Sequence, residues 1–296
     1  MGTPNRNPRS RQRLAAGALL ALLLVGCGPS DEEREQAQAA LDRWADAVAA
    51  AESASFGVIG DPTATIGSWE PDDGIDKELA LVAGKVEAAV PLPDAEPAPA
   101  TVRWDDGRVE TLPVLSAVEA LEELRTAGVQ PCPECAPLRI TDARLTTGRV
   151  ETTRGGAEVP LWEFAIEGSA VRITRVAVSV DATVTVRPPA WDPMDAPEGM
   201  SVESASVGAD DRELVVTFTG APKPGSEGCG ADYEAEAVES ARAVVVIVVE
   251  HRNSPFQTCP GIGARRTATV QLAEPLADRA VLEVKQGLPV PVTRAP

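Results

Sequence analysis

The sequence predicts an α+β, β-rich protein: an N-terminal helix, a mixed strand-and-helix domain, then a C-terminal β-sandwich-like domain. Three observations predict it. Ser30 and Glu33 form an S-x-x-E capping box ahead of Leu41, Trp44, Ala45 and Val48, whose i, i+3, i+4, i+7 spacing marks one face of a helix. Val176, Val178, Val180, Ala182, Val184 and Val186 alternate with polar or small residues, the period of two that a half-buried strand requires. After a proline-rich stretch, short apolar runs recur between turn residues without helical periodicity, the pattern of a small sandwich.

The elements begin with an export segment. Arg6, Arg9, Arg11 and Arg13 stand before any acid, and an apolar run then extends from Leu14 to Gly26. As a helix at ~1.5 Å per residue this run reaches roughly 20 Å. That is short of a ~30 Å bilayer core but suits the h-region of a signal peptide. The junction Leu24-Val25-Gly26-Cys27 resembles the lipobox of bacterial lipoproteins. The resemblance implies cleavage after Gly26 and a diacylglyceryl group on the Cys27 thiol. One acyl chain binds a membrane only weakly, with an association constant of ~10⁴ M⁻¹, whereas two anchor stably. The expected location is therefore the extracytoplasmic face of the cell membrane, with the lipid as anchor. Residues 1–26 are read as signal peptide, and 27–55 as lipid anchor plus amphipathic helix.

Charge narrows the partners. The chain has 27 basic and 45 acidic residues, a formal charge of −18. Removing 1–26 takes away four basic residues and no acid, which leaves 23 against 45, or −22. A field of that sign excludes binding to nucleic acid, or to anionic lipid, through net charge. In an exported chain the cysteines beyond Cys27, namely Cys132, Cys135, Cys229 and Cys259, meet a disulfide-permissive compartment.

Between 56 and 186 the pattern is of short strands, with one more helix. Residues 79–90 read as a strand, followed by a proline-rich loop from Pro91 to Pro99. Runs at 101–104 and 108–112 flank Asp105-Asp106-Gly107, a hairpin signal. Ser116 and Glu119 form a second capping box, with Leu121 and Leu124 on one face and Gly128 as the expected C-terminal cap. Strands are expected at 138–145, 159–166 and 171–186. The stretch 187–199 carries four prolines and is read as the domain linker. Strands at 202–207, 213–219, 233–238, 242–250, 267–272 and 280–284 then build the domain at 200–296. Val244 to Val249 is unbroken apolar sequence, which places that strand in the middle of a sheet covered on both faces.

Gly67-Ser68-Trp69-Glu70, the Cys132–Cys135 loop, Val159-Pro160-Leu161-Trp162-Glu163-Phe164 and Cys229-Gly230-Ala231-Asp232-Tyr233 resemble a family of actinobacterial secreted lipoproteins. The resemblance implies the same compartment and two-part layout. No activity is attached to that family, so it transfers no site.

The residues that could carry chemistry are few. Cys132-Pro133-Glu134-Cys135 has the C-x-x-C spacing of a local disulfide, of a redox dithiol or of half a zinc site. A helix precedes it and a strand follows, the reverse of the redox context, and zinc needs a second pair. Proximity favours pairing Cys132 with Cys135 and Cys229 with Cys259. His251, the one histidine, reads as a solvated strand end. Asp72-Asp73, Asp105-Asp106 and Asp210-Asp211 sit beside turn residues, where Asp bonds its own backbone. Trp69, Trp104, Trp162 and Trp191 read as core anchors, with a carbohydrate-stacking surface as the functional alternative. No nucleotide-binding glycine loop and no nucleophile elbow occurs, and no metal or cofactor is called for. The expectation is a non-enzymatic module that binds an envelope protein or glycan. An envelope hydrolase using carboxylates, or a thiol–disulfide protein using Cys132 and Cys135, are the alternatives.

Overall fold

The computed structural model describes residues 28–51, 56–69, 74–128, 130–191, 194, 196–252 and 258–294. The signal segment, Cys27 and Asp72-Asp73 lie outside them. The fold is α+β and rich in strand. Among the described residues no helix is long and apolar enough to cross a membrane.

Helix α1 (Asp31–Ala50) starts at the capping box read from the sequence. The Ser30 hydroxyl accepts from the Glu33 N–H at 3.0 Å, and the Glu33 carboxylate accepts from the Ser30 N–H at 2.8 Å. Two of the helix's orphan donors are thereby satisfied. Ala37, Ala40, Leu41 and Trp44 form its buried face.

The first half then runs β1 (Phe56–Gly57), β2 (Thr63–Ile66), α2 (Gly74–Val82), β3 (Val86–Ala88), β4 (Ala100–Trp104), β5 (Val109–Leu112), α3 (Ala117–Thr126), β6 (Leu138–Thr152), β7 (Gly155–Ile166), β8 (Arg172–Val176) and β9 (Thr183–Val184). The long β6–β7 hairpin is its spine. The other edge of β7 is shared by β8 and β4, giving the order β2-β8-β7-β4-β5, and β3 adds in parallel to β6. Successive β7 residues feed two cores, as strand alternation requires. Trp162, Phe164 and Ile166 pack with α3 residues Leu121 and Leu124. Ala157 and Val159 pack with Phe56, Val102 and Trp104.

Three local expectations need correction. Residues 79–82 are the end of α2, not a strand, and β3 spans only Val86–Ala88. Lys77, Glu78, Leu79, Ala80 and Leu81 are good helix formers, and Ala80 is fully buried. The run 171–186 is not one strand. β8 ends at Val176, Val178 bridges to Val114, and the Ser179 hydroxyl caps a 3₁₀ turn before β9 joins β1 in parallel. The alternating valines do not form one face: Val176 and Val178 join the core with Phe56 and Trp104, Val180 is 44% exposed, and Val184 packs in the cluster of Trp44 of α1. Gly128 is not a left-handed cap; a Cβ there would lie 2.5 Å from the Ala83 carbonyl oxygen, so what it permits is close approach.

The second half comprises β10 (Val202–Val207), β11 (Glu213–Gly220), β12 (Ala231–Glu239), β13 (Ala243–Arg252), β14 (Ala264–Gln271), β15 (Ala280–Glu283) and β16 (Val292–Arg294). They form two sheets, β14-β11-β10-β16 and β12-β13-β15. β13 is the middle strand of the second sheet, as its apolar run anticipates. Val244, Val246 and Val248 face the first sheet, packing with Leu214, Val216 and Phe218. Val245 and Ile247 face the other way, onto Leu41 and Trp44 of α1. The N-terminal helix is therefore the outer layer of the C-terminal sandwich, joined there by Val184. Arg34 of α1 adds an ion pair to Glu236 of β12 at 3.3 Å.

Candidate functional site

Both cysteine pairs stand at disulfide distance, Cys132 with Cys135 and Cys229 with Cys259. Cys132 and Cys135 are each 7% exposed and belong to the core under α3. The Lys85 ammonium donates to the Pro133 and Cys135 carbonyls at 2.9 and 2.8 Å, closing the loop from outside. A redox dithiol needs an attacking sulfur within reach of a partner, and neither sulfur here is presented. With Glu134 the pair makes the one cluster of three metal-ligand side chains among the described residues. Cysteines joined to each other offer no thiolate, so this cluster lacks the donors for zinc.

His251 lies in β13 opposite Asp232, with its Nε2 3.6 Å from the Glu234 carboxylate. Asp105 and Asp106 build the β4–β5 turn. Asp105 takes a paired hydrogen bond from Arg149, and Asp106 accepts from the Arg108 N–H at 2.9 Å. Asp210 accepts from the Arg212 and Glu213 N–H groups at 3.1 and 3.2 Å, and Asp211 from Ala277 at 2.6 Å. Among the described residues, every carboxylic acid whose pKa departs clearly from its ordinary value is lowered. The cause is the Arg149 hydrogen bond for Asp105, and backbone N–H donors for Asp106, Glu119 and Asp210. At Glu239 burial pushes the pKa up, but the Ala273 N–H and the Arg279 guanidinium outweigh it. A general acid needs the opposite shift, so these carboxylates are held ionised for structural duty.

The tryptophans divide. Trp104 and Trp162 are core anchors, and their indole N–H groups donate to the Thr152 hydroxyl at 3.1 Å and the Leu115 carbonyl at 2.8 Å. Trp69 is partly buried against the same core as Trp162. Trp191 does not follow the core reading: it is 43% exposed. It lies in the proline-rich stretch, whose described residues form no strand because Pro188, Pro189 and Pro197 cannot donate to a ladder. That stretch is no free spacer, since the Ser30 hydroxyl donates to Glu198 at 3.2 Å. In the amide orientation that satisfies both of its ends, Gln36 also bonds the Glu198 N–H and C=O, at 3.2 Å each.

The stretch and α1 thus flank an open groove of 290 Å³, lined by Glu32, Gln36 and Arg43 of α1, by Trp191, and by Val284 and Lys285 after β15. Its volume is close to the ~300 Å³ at which small-ligand pockets begin. A second hollow of 360 Å³ lies over Arg103, Trp104, Asp105, Arg149 and Glu158. There Arg149 is already spent on Asp105, and the Trp104 ring is buried. The first groove is the better candidate, because it offers an exposed aromatic ring and two cations outside ion pairs among the described residues, where the hollow leaves only Arg103. Sequence reading missed Arg43 and Lys285. They come from opposite ends of the chain, and only the docking of α1 onto the sandwich brings them together.

Compared with family models, with curated proteins and with solved structures, the chain matches none.

Proposed function

We propose that this chain is a lipid-anchored protein on the extracytoplasmic face of the cell membrane, and that it works as a non-enzymatic binding module for an envelope component. The anchor rests on the signal pattern of residues 1–26 and on Cys27, in keeping with the secreted lipoproteins that the sequence resembles. The observation that carries the module reading is the docking of α1. Only Gly28 and Pro29 separate Cys27 from the capping residue Ser30, and α1 is packed into the sandwich rather than free as a tether. Lipid attachment at Cys27 would hold the folded body, and with it the groove at the first turns of α1, against the membrane surface. The recognition surfaces of such a module are grooves, loops and sheet edges on a rigid scaffold.

The test is photocrosslinking in the native envelope from a photoreactive residue in place of Trp191, with a broad hydrolase and thiol-oxidoreductase screen of the full chain alongside. The reading expects a discrete adduct from position 191, none from an equivalent probe at Ile66, and no turnover. Turnover abolished by a single Asp or Glu substitution that leaves the fold intact would establish the hydrolase alternative. Disulfide exchange abolished by Cys132→Ser would establish the thiol one.

A further inference from the structure

We infer that the groove between α1 and the proline-rich stretch binds a saccharide or cyclitol ring that carries an anionic group, a carboxylate or a phosphate. The inference rests on the module reading and names the ligand class of the same site.

In a chain with 45 acidic and 27 basic residues, a cation has acids in excess to pair with. Many are paired: Arg149 with Asp105, Arg139 with Glu87 and Glu167, and Arg279 with Glu239. Arg43 and Lys285 line one groove, and neither has an acid partner among the described residues. The nearest carboxylate in sequence to Lys285, Glu283, is buried and accepts from the Lys285 and Gln286 N–H groups at 3.0 and 2.6 Å. It shapes the turn that carries the lysine. The groove's one acid, Glu32, sits in the first turn of α1 and forms no ion pair with either cation.

Arg43 is also held in a prepared position. Its Nε is cut off from solvent without a hydrogen-bond partner among the described residues, so the guanidinium is not spent on any acceptor there. Gly287, at φ 68°, leaves it room: a Cβ there would lie 2.6 Å from the Arg43 Nη2. A planar guanidinium beside an ammonium suits carboxylate or phosphate oxygens. The ring of Trp191 supplies a flat apolar face of the kind on which a sugar ring rests, and Val284 and Ala39 supply apolar lining. The net charge of −18 repels anions at long range, so attraction must come from these local contacts. A head group in the membrane and a soluble envelope glycan share this chemistry.

The test uses the full chain, purified in detergent, and calorimetric titration with four probes. Two are charged saccharides, a galacturonate tetramer and a mannose phosphate; one is the methyl-esterified tetramer; the last is micelles carrying phosphatidylinositol, with phosphatidylcholine as control. A charged probe should bind while its uncharged counterpart does not. Arg43→Gln and Lys285→Gln should each weaken binding by about tenfold or more, the loss expected for one charge-assisted contact. Trp191→Ala should weaken it too, and all three variants should keep the parent urea midpoint. Binding of a soluble probe assigns the site to a free glycan, and binding of phosphatidylinositol alone assigns it to a head group. No binding of any charged probe, or binding undiminished in both Arg43→Gln and Lys285→Gln, overturns the inference. A crosslink from position 191 obtained despite that result would keep the module reading and retire this ligand class.

Discussion

Replacing Trp44 with Ala tests whether α1 belongs to the sandwich. Trp44 is 4% exposed and packs with Leu41, Val245, Ile247 and Leu282, its ring reaching the backbone at Gly57. Truncating a buried aromatic to Ala costs about 3–5 kcal/mol through lost transfer energy and the cavity left behind. A domain's whole stability is about 5–15 kcal/mol, so this one change removes a large share. With a urea slope of about 2 kcal/mol/M, the midpoint should fall by about 1.5–2.5 M. The assay is urea unfolding of residues 28–296, which retain every described element, followed by circular dichroism. Arg34→Gln is the control: it breaks an ion pair to Glu236 that is 44% exposed on both sides, and should cost no more than about 1 kcal/mol. A Trp44→Ala cost below about 1 kcal/mol, or one equal to that of Arg34→Gln, would refute the docking of α1 as an energetic fact.

Two further predictions concern the staples and the caps. Cys229→Ser, which opens a loop of sequence separation 30, should cost about 3–4 kcal/mol, and non-reducing peptide maps should join Cys229 to Cys259 and Cys132 to Cys135. Equal urea midpoints for Cys229→Ser and the parent chain would remove that bridge from the account. The Glu119 pKa is lowered by the Ser116 N–H and hydroxyl. Its contribution is thus present above the unfolded Glu value of about 4.3 and lost as pH falls through the lower folded value. Glu119→Gln should therefore lower stability near neutrality and flatten its decline below about pH 4.5, read as urea midpoint against pH. A parallel decline in both proteins would show that this cap does not titrate with folding.

Much of the fold was legible because its signals are local. Both capping boxes set helix starts through residues three apart, and the unbroken run Val244 to Val249 marks a strand covered twice. Residues 79–82 were misread because a short apolar run suits either a strand or a helix, and only packing decides. The break at Ala177–Ala182 was hidden because the apolar alternation runs on through Val180, which is 44% exposed, and only the fold shows that Val178 and Val184 are buried in different cores. The periodicity of α1 tells which face is buried but not against what, and this is why its docking on β13 had no signal. The groove shared that obscurity: Trp191 could be noticed for its type, but its exposure, and its meeting with Arg43 and Lys285, depend on that docking.

The proposed anchoring of this folded body by a lipid on Cys27 can be read from the mature N-terminus. Intact-mass measurement of the protein extracted from its native envelope should give a chain that begins at Cys27 and carries a diacylglyceryl group. Cys27→Ala should retain residues 1–26 and take up no fatty-acid label. A mature chain that begins elsewhere, or fatty-acid labelling that persists in Cys27→Ala, would contradict it.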